Sequence, residues 1–476
     1  MSETIAHTPY GALRGRTTAT GLAFLGIRYG APPIGARRWT PPSPHIPSGA
    51  AVDATRFGPS PPQLPSPATP WRAAFAPQAM SEDCLNLNVW TPAADGARRP
   101  TLVHVFGGGF ETGSASEGLQ DGAALSAQAD AVVVRVNFRI GALGFLHLGD
   151  AFGAEFAAGN VGLLDLRLAL EWVRDNIAAL FALPGARGLF AKAWMQSGSA
   201  SRVLARTQAA AGTAEFLREV EVAAGDREGL AALSVAAILA AQRKIAAFDL
   251  GDRNAPGGRT LGVVEDGVTL MRHPLQALAE GAWRDAPIVL GFTRDEARLW
   301  FAAGVMRTPQ SMDEARAEMV RFSDASAGAR LFAFYRARYP DLAPVALREK
   351  FLSDAVYGVP ALRTALAHRH AGGRAFLYRF DWSAPGVGAR LGAAHGFDEA
   401  FVWNAADPRR FPLVADDSEA ATLAASMSQA LIDFARSGSP GWAPVPTEIR
   451  LFGAESATSI GIDAELLAAW DGVERR

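Results

Sequence analysis

The sequence predicts an α/β protein whose central, mostly parallel twisted sheet is flanked by helices. Three features carry that reading. Thr101 to Val105 and Ala131 to Asn137 are nearly continuous apolar runs, as expected of strands buried on both faces of such a sheet. From Leu163 to Leu180 apolar residues recur near the 3.6-residue helical period, with Arg167, Glu171, Arg174 and Asp175 between them, and Pro184-Gly185 follows as a stop. The 476 residues, 49% hydrophobic and 20% charged, suit one large globular unit over 1–476 better than a string of small ones.

In chain order, residues 10 to 30 alternate between apolar and polar and are broken by Gly11, Gly15, Gly21 and Gly26, which predicts small antiparallel strands. Pro32 to Pro70 is too proline-dense for a core element. Leu85 to Val89, Ala193 to Gln196, Pro287 to Gly291 and Arg374 to Phe380 are further strand candidates. Two amphipathic, Ala/Leu/Arg-rich stretches, roughly 213–248 and 311–370, are expected to form helices capping a site. A last helix is expected over Ser418 to Arg436, ending at Ser437-Gly438-Ser439-Pro440-Gly441.

Composition narrows the function classes. The formal net charge is -2, and the basic residues are nearly all arginine, with Lys192, Lys244 and Lys350 the few lysines. No basic patch pointing to nucleic acid stands out. No apolar run is long enough to span a bilayer, and the start MSETIAHTPYGALRG has neither a basic nor an apolar leader region, so a cytoplasmic protein is expected. Cys84 is the only cysteine, which rules out an intrachain disulfide and predicts a buried free thiol.

The chemistry-bearing motifs follow a fixed order. The strand at Thr101 to Val105 runs into Phe106-Gly107-Gly108-Gly109-Phe110, where backbone N–H groups are free to face an anion. GFTRDEA (Gly291 to Ala297) and GAAHGFDEAF (Gly392 to Phe401) then bring an acid and a histidine to the ends of strand-like runs. Oxyanion glycines, acid and base in this order, with a nucleophile expected before the acid, are the parts of an acyl-transfer site.

On these motifs the chain resembles the type-B carboxylesterases, the esterase and cholinesterase branch of the α/β-hydrolases. FLGIRYGAPP (Phe24 to Pro33) and SEDCLNLNVWTP (Ser81 to Pro92) match two family blocks. NFRIGALGFL (Asn137 to Leu146), GNVGLLDLRLALEWVRDNI (Gly159 to Ile177) and GLFAKAWMQSGS (Gly188 to Ser199) continue in family order. The resemblance implies the α/β-hydrolase fold and hydrolysis of small carboxylic esters without metal or other cofactor. It assigns Glu296 as the acid, His395 as the base, and Gly108 and Gly109 as oxyanion donors, with Gly107 supplying the turn. Asp295 would be structural, and Phe106 stands where many relatives have histidine. In the family, loops of the proline-rich region wall the site, so Trp71 and Phe75 would either line a pocket or pack on the sheet. His104 is expected in or near the core, and His368 and His370 solvated on a helix. The family's disulfide from the position of Cys84 cannot form.

One block has no counterpart. Between Ala179 and Pro184 the family carries a glycine-rich turn, a strand and the G-x-S-x-G nucleophile elbow, and that pattern occurs nowhere in the chain. The central nucleophile strand is thus expected to be missing and activity severely reduced. A folded, non-catalytic module that binds a ligand or a protein partner is the alternative. If the strand at Ala193 to Gln196 slid into the vacant slot, Ser197 or Ser199 would come near the nucleophile position.

Overall fold

The computed structural model describes every residue except 1–2, 9–10, 47–50, 66–78, 96, 119–121, 174–187, 201, 256–257, 259–260, 415–417, 454–458 and 474–476. Seven strands form one hydrogen-bonded sheet: β1 (Glu3–Thr8), β2 (Gly11–Thr17), β3 (Leu22–Arg28), β4 (Val52–Asp53), β5 (Asn86–Thr91), β6 (Thr101–Val105) and β7 (Val132–Val136). Their order is β1-β2-β3-β5-β7-β6, with β4 beside β2. The expected antiparallel strands over residues 10 to 30 are β2 and β3, and β5 joins β7 antiparallel as well. Only β6–β7 and β2–β4 pair in parallel.

The chain then forms β8 (Ala193–Gln196), a two-stranded pair of β9 (Leu204–Ala205) and β10 (Val264–Glu265), and the strands β11 (Ile288–Thr293), β12 (Ala375–Phe380), β13 (Ile449–Phe452) and β14 (Ser459–Ile460). A second sheet runs β14-β13-β12-β11-β8 and is parallel except at β13–β14. Among the described residues the two ladders stay separate, β6 ending one and β8 ending the other. Among the described residues β8 pairs with β11 and not with β6, so the conditional slide into a vacant slot is not seen. Four consecutive pairs, Ala193–Ile288 to Gln196–Gly291, tie β8 to β11, and Trp194 packs on Tyr378, Phe434 and Trp442 at 5.6, 5.9 and 6.2 Å. Shifting the strand would give up that ladder and the aromatic layer together.

Helices cover both sheets. Val161–Val173 buries Val161, Leu163, Leu164, Leu166, Leu168, Ala169 and Leu170, the apolar face read from the sequence; the remainder of the expected helix, to Leu180, lies outside the described residues. The same helix buries Asp165 completely, and its carboxylate takes Arg139 Nε and Nη2 at 2.8 and 2.7 Å and the Arg139 backbone N–H at 3.0 Å. Paired this fully, two buried charges are tolerated. Cys84 is a buried free thiol in the core under β5, and burial pushes its pKa up.

The first expected helical stretch resolves into Arg206–Glu219, Arg227–Ala232 and Val235–Ile245; the second into Met312–Phe322, Ala325–Arg338, Pro344–Ser353, a π turn at Asp354–Gly358, and Val359–His370. On that last helix the expectation of two solvated histidines fails for one. His370 is exposed, but His368 is fully buried with Nε2 3.0 Å from the Ala286 carbonyl. Ala464–Ala469 closes over the helical layer, where Trp470 stacks on Phe351 and its indole donates to Tyr335 Oη at 3.1 Å. No helix among the described residues is long and apolar enough to cross a membrane.

Candidate active site

Glu296 follows β11 in a tight turn and has no exposed surface. Its Oε1 accepts the Thr293 N–H at 2.8 Å and the Ser197 hydroxyl at 2.6 Å, and its Oε2 lies 2.5 Å from His395 Nδ1. Three elements, β11, the end of β8 and the turn after β12, thereby converge on one carboxylate. A carboxylate on Nδ1 holds the histidine in the tautomer that leaves Nε2 available as a base. Gly396, in the left-handed conformation at φ 77°, turns the chain from His395 into the helix Phe397–Val402. The imidazole packs on Trp300 and Tyr357, with ring centroids 4.7 and 4.9 Å away, and Tyr357 sits in the π turn. Such a turn inside a run of helices is a common device for aiming a side chain at a site.

Asp295 turns away from the histidine. It accepts the Ala393 N–H at 3.0 Å and pairs with Arg298, holding the two motif-bearing turns side by side. Asp398, two residues past Gly396, is buried, taking the Tyr378 hydroxyl at 2.7 Å and Gln196 Nε2 at 3.1 Å. Burial pushes its pKa up to about 6, and the nearby Glu296 charge adds to the rise against the two hydrogen bonds.

The glycine loop stands on the other sheet. Gly108 has φ 128° and Gly109 φ 64°, and a Cβ on Gly108 would lie 2.0 Å from the Thr112 carbonyl oxygen, so only glycine fits there. Phe106 is buried and stacks on Phe138 at 4.7 Å, so packing supports the loop at this position. Gln63 holds it from the far side through paired 2.8 Å bonds to the Gly113 N–H and carbonyl. Among the described residues no acceptor takes the N–H of Gly108 or Gly109. Glycine loop, His395 and the ends of β6 and β8 all line one cavity of about 720 Å³.

The structure therefore brings together Gly108, Gly109 and His395 at one cavity, with Glu296 directly behind the histidine. His104 borders the cavity from β6, edge-on to Trp403 at 4.9 Å, as its near-core position implied. Trp71 and Phe75 lie outside the described residues. Sequence reasoning missed the bond from Ser197 to Glu296. Ser197 adopts φ 48° just past β8, and its hydroxyl faces the acid. It also passed over Asp398, although that residue sits within the quoted GAAHGFDEAF motif.

Comparison with known proteins bears on this geometry. A model of the carboxylesterase family matches residues 2–182 and 178–469. The para-nitrobenzyl esterase of Bacillus subtilis is 32% identical over 92% of this chain and 91% of its own length. The phenmedipham hydrolase of Pseudarthrobacter oxydans is 30% identical over the same shares of each chain. The crystal structure of the Geobacillus stearothermophilus carboxylesterase EST55 superposes with a TM-score of 0.85 at 31% identity, covering 98% of this chain and 100% of that one.

Proposed function

Because this chain belongs to the carboxylesterase family, we propose that its cavity binds small carboxylic esters and that its turnover of them is severely reduced for want of a serine elbow. The observation that carries the reading is the 2.5 Å contact between His395 and Glu296 at a cavity shared with Gly108 and Gly109, in a chain with no G-x-S-x-G. An ester carbonyl oxygen directed at the N–H groups of Gly108 and Gly109 lies in the cavity that His395 also lines. In this arrangement His395 draws a proton from water as its oxygen adds to the carbonyl carbon, Glu296 balances the imidazolium, and the imidazolium returns the proton to the alcohol oxygen as the adduct collapses to acid and alcohol. Without a covalent acyl-enzyme step, and without the N–H of the residue after the nucleophile, this route has only binding and two donors behind it. The family match supports the ester-binding part of the reading.

The second reading, a binding module without turnover, is favoured by one contact. The Ser197 hydroxyl is bound to Glu296 and not to His395, so it is not poised as a replacement nucleophile.

Labelling of the purified chain with a fluorophosphonate, mapped to peptides, beside hydrolysis of a p-nitrophenyl ester tests both. Slow hydrolysis that depends on His395, with no labelled serine, is the expected result. Saturable labelling of one serine with matching turnover would overturn the impaired-site reading, and no hydrolysis above background by a cooperatively melting chain would leave the module.

A further inference from the structure

The cavity holds a charge that the ester chemistry does not use. Arg202 lies just past β8 and, with Gly109, Val203 and Arg253, lines both the main cavity and a recess of about 50 Å³. Among the described residues no carboxylate or carbonyl accepts from its guanidinium. The nearest acid available to it, Glu111, is already paired with Arg253, which also donates to the Ala247 carbonyl at 3.0 Å. Burial pushes the Arg202 pKa down; Tyr357 acts against it, the neighbouring Arg253 charge adds to the fall, and Glu111 opposes it least. Arg202 is half-buried in this wall, and a planar five-donor fork that is bonded to no acid among the described residues is suited to a carboxylate.

We propose that the cavity selects esters bearing a free carboxylate, half-esters of dicarboxylic acids, by docking that carboxylate on Arg202 while the ester carbonyl faces Gly108 and Gly109. This deepens the ester-binding reading and rests on it, but needs no turnover. The glycine loop and Arg202 border the same space, and Arg253 lies close to the loop, 3.3 Å from a Cβ placed on Gly109. Arg253 gives Nε and Nη2 to Ala247 and Glu111, whereas Arg202 gives none of its donors to a described acceptor. The apolar remainder of the wall, including Trp300 and Phe248, suits an aromatic or alkyl alcohol group.

Calorimetric titration of the full chain with monobenzyl succinate and with its neutral counterpart, benzyl methyl succinate, tests this. A charge-assisted bidentate contact predicts that the half-ester binds about tenfold or more tightly than the diester, a preference that weakens as salt is added. Arg202→Met should abolish the preference with little change in diester affinity, Arg202→Lys should keep part of it, and Arg253→Met, which frees Glu111 to pair with Arg202, should weaken it. Equal binding of the two ligands, or a preference that survives Arg202→Met, overturns the proposal and leaves ester binding standing. Failure of a cooperatively melting chain to bind either ligand overturns both. Fluorophosphonate labelling reports on turnover alone and so does not touch this outcome.

Discussion

The two sheets present their ends to the same cavity and hold their functional groups by different means. At the end of the five-stranded sheet, Glu296 and His395 are fixed by side-chain hydrogen bonds that start and finish within that half: Thr293 and Ser197 on Glu296, Glu296 on His395, Tyr378 and Gln196 on Asp398. At the end of the seven-stranded sheet, Gly108 and Gly109 are fixed by backbone conformation, by the stacked Phe106 and by Gln63. The acid–base half is complete in itself. The oxyanion half relies on backbone shape, in a chain whose sequence holds no G-x-S-x-G to supply a third donor.

The strongest way to break that contrast is to supply the elbow. Replacing Leu180 to Leu183 by a strand, a G-x-S-x-G turn and the start of a helix, roughly twenty residues, should raise p-nitrophenyl ester turnover by about 10⁴-fold or more. A folded chain without that gain would mean that one of the two halves is wrongly assembled. Next in size is the ion pair on the seven-stranded side. Asp165→Asn leaves Arg139 buried without a counter-charge and should cost about 3–5 kcal/mol in urea unfolding. Tyr378→Phe on the five-stranded side removes one hydrogen bond and should cost about 1.5–3 kcal/mol by the same measurement, since the acceptor is a carboxylate. Gly108→Ala, forced into φ 128° against Thr112, should cost about 1–3 kcal/mol and lower any hydrolysis, while His395 in the opposite half keeps its contact to Glu296.

The smallest effect is a slope. Asp398 keeps its proton to about pH 6 in the folded chain, whereas an unfolded aspartate loses it near pH 3.9. Between those values the unfolded chain sheds a proton that the native chain retains, so this residue makes stability fall as pH rises from about 4 to about 6, with no further change above. Urea midpoints for Asp398→Asn measured across that range should show a shallower fall than those of the parent chain. An unchanged profile would place the Asp398 pKa at its ordinary value.

Sequence reading located the regular elements and the motif residues, and it failed where contacts join distant parts of the chain. β6 and β8 run between the residues read from the sequence, because short apolar runs between turn formers leave little choice of boundary. Glu296 and His395 were legible from motifs at strand ends. The bond from Ser197 to Glu296 was not, because it joins residues 99 apart and depends on β8 lying beside β11. His368 looked solvated beside Arg369 and His370 at a helix end, but its ring packs against Gly373, where a Cβ would lie 2.2 Å from Nε2, and reaches the Ala286 carbonyl. Arg202 gave no signal either, since only the cavity wall shows that its guanidinium has no partner among the described residues.

The clasp of Trp470 on Tyr335 and Phe351 also sets a timetable for making the molecule. The two hydrogen-bonded residues are separated by 135 positions, and at about 5–20 residues per second a ribosome adds the second roughly 7–27 s after the first. Throughout that interval Tyr335 and Phe351 wait without their aromatic cover. A nascent chain halted before Trp470 should therefore leave the helices at 312–353 more open to protease than the finished chain does.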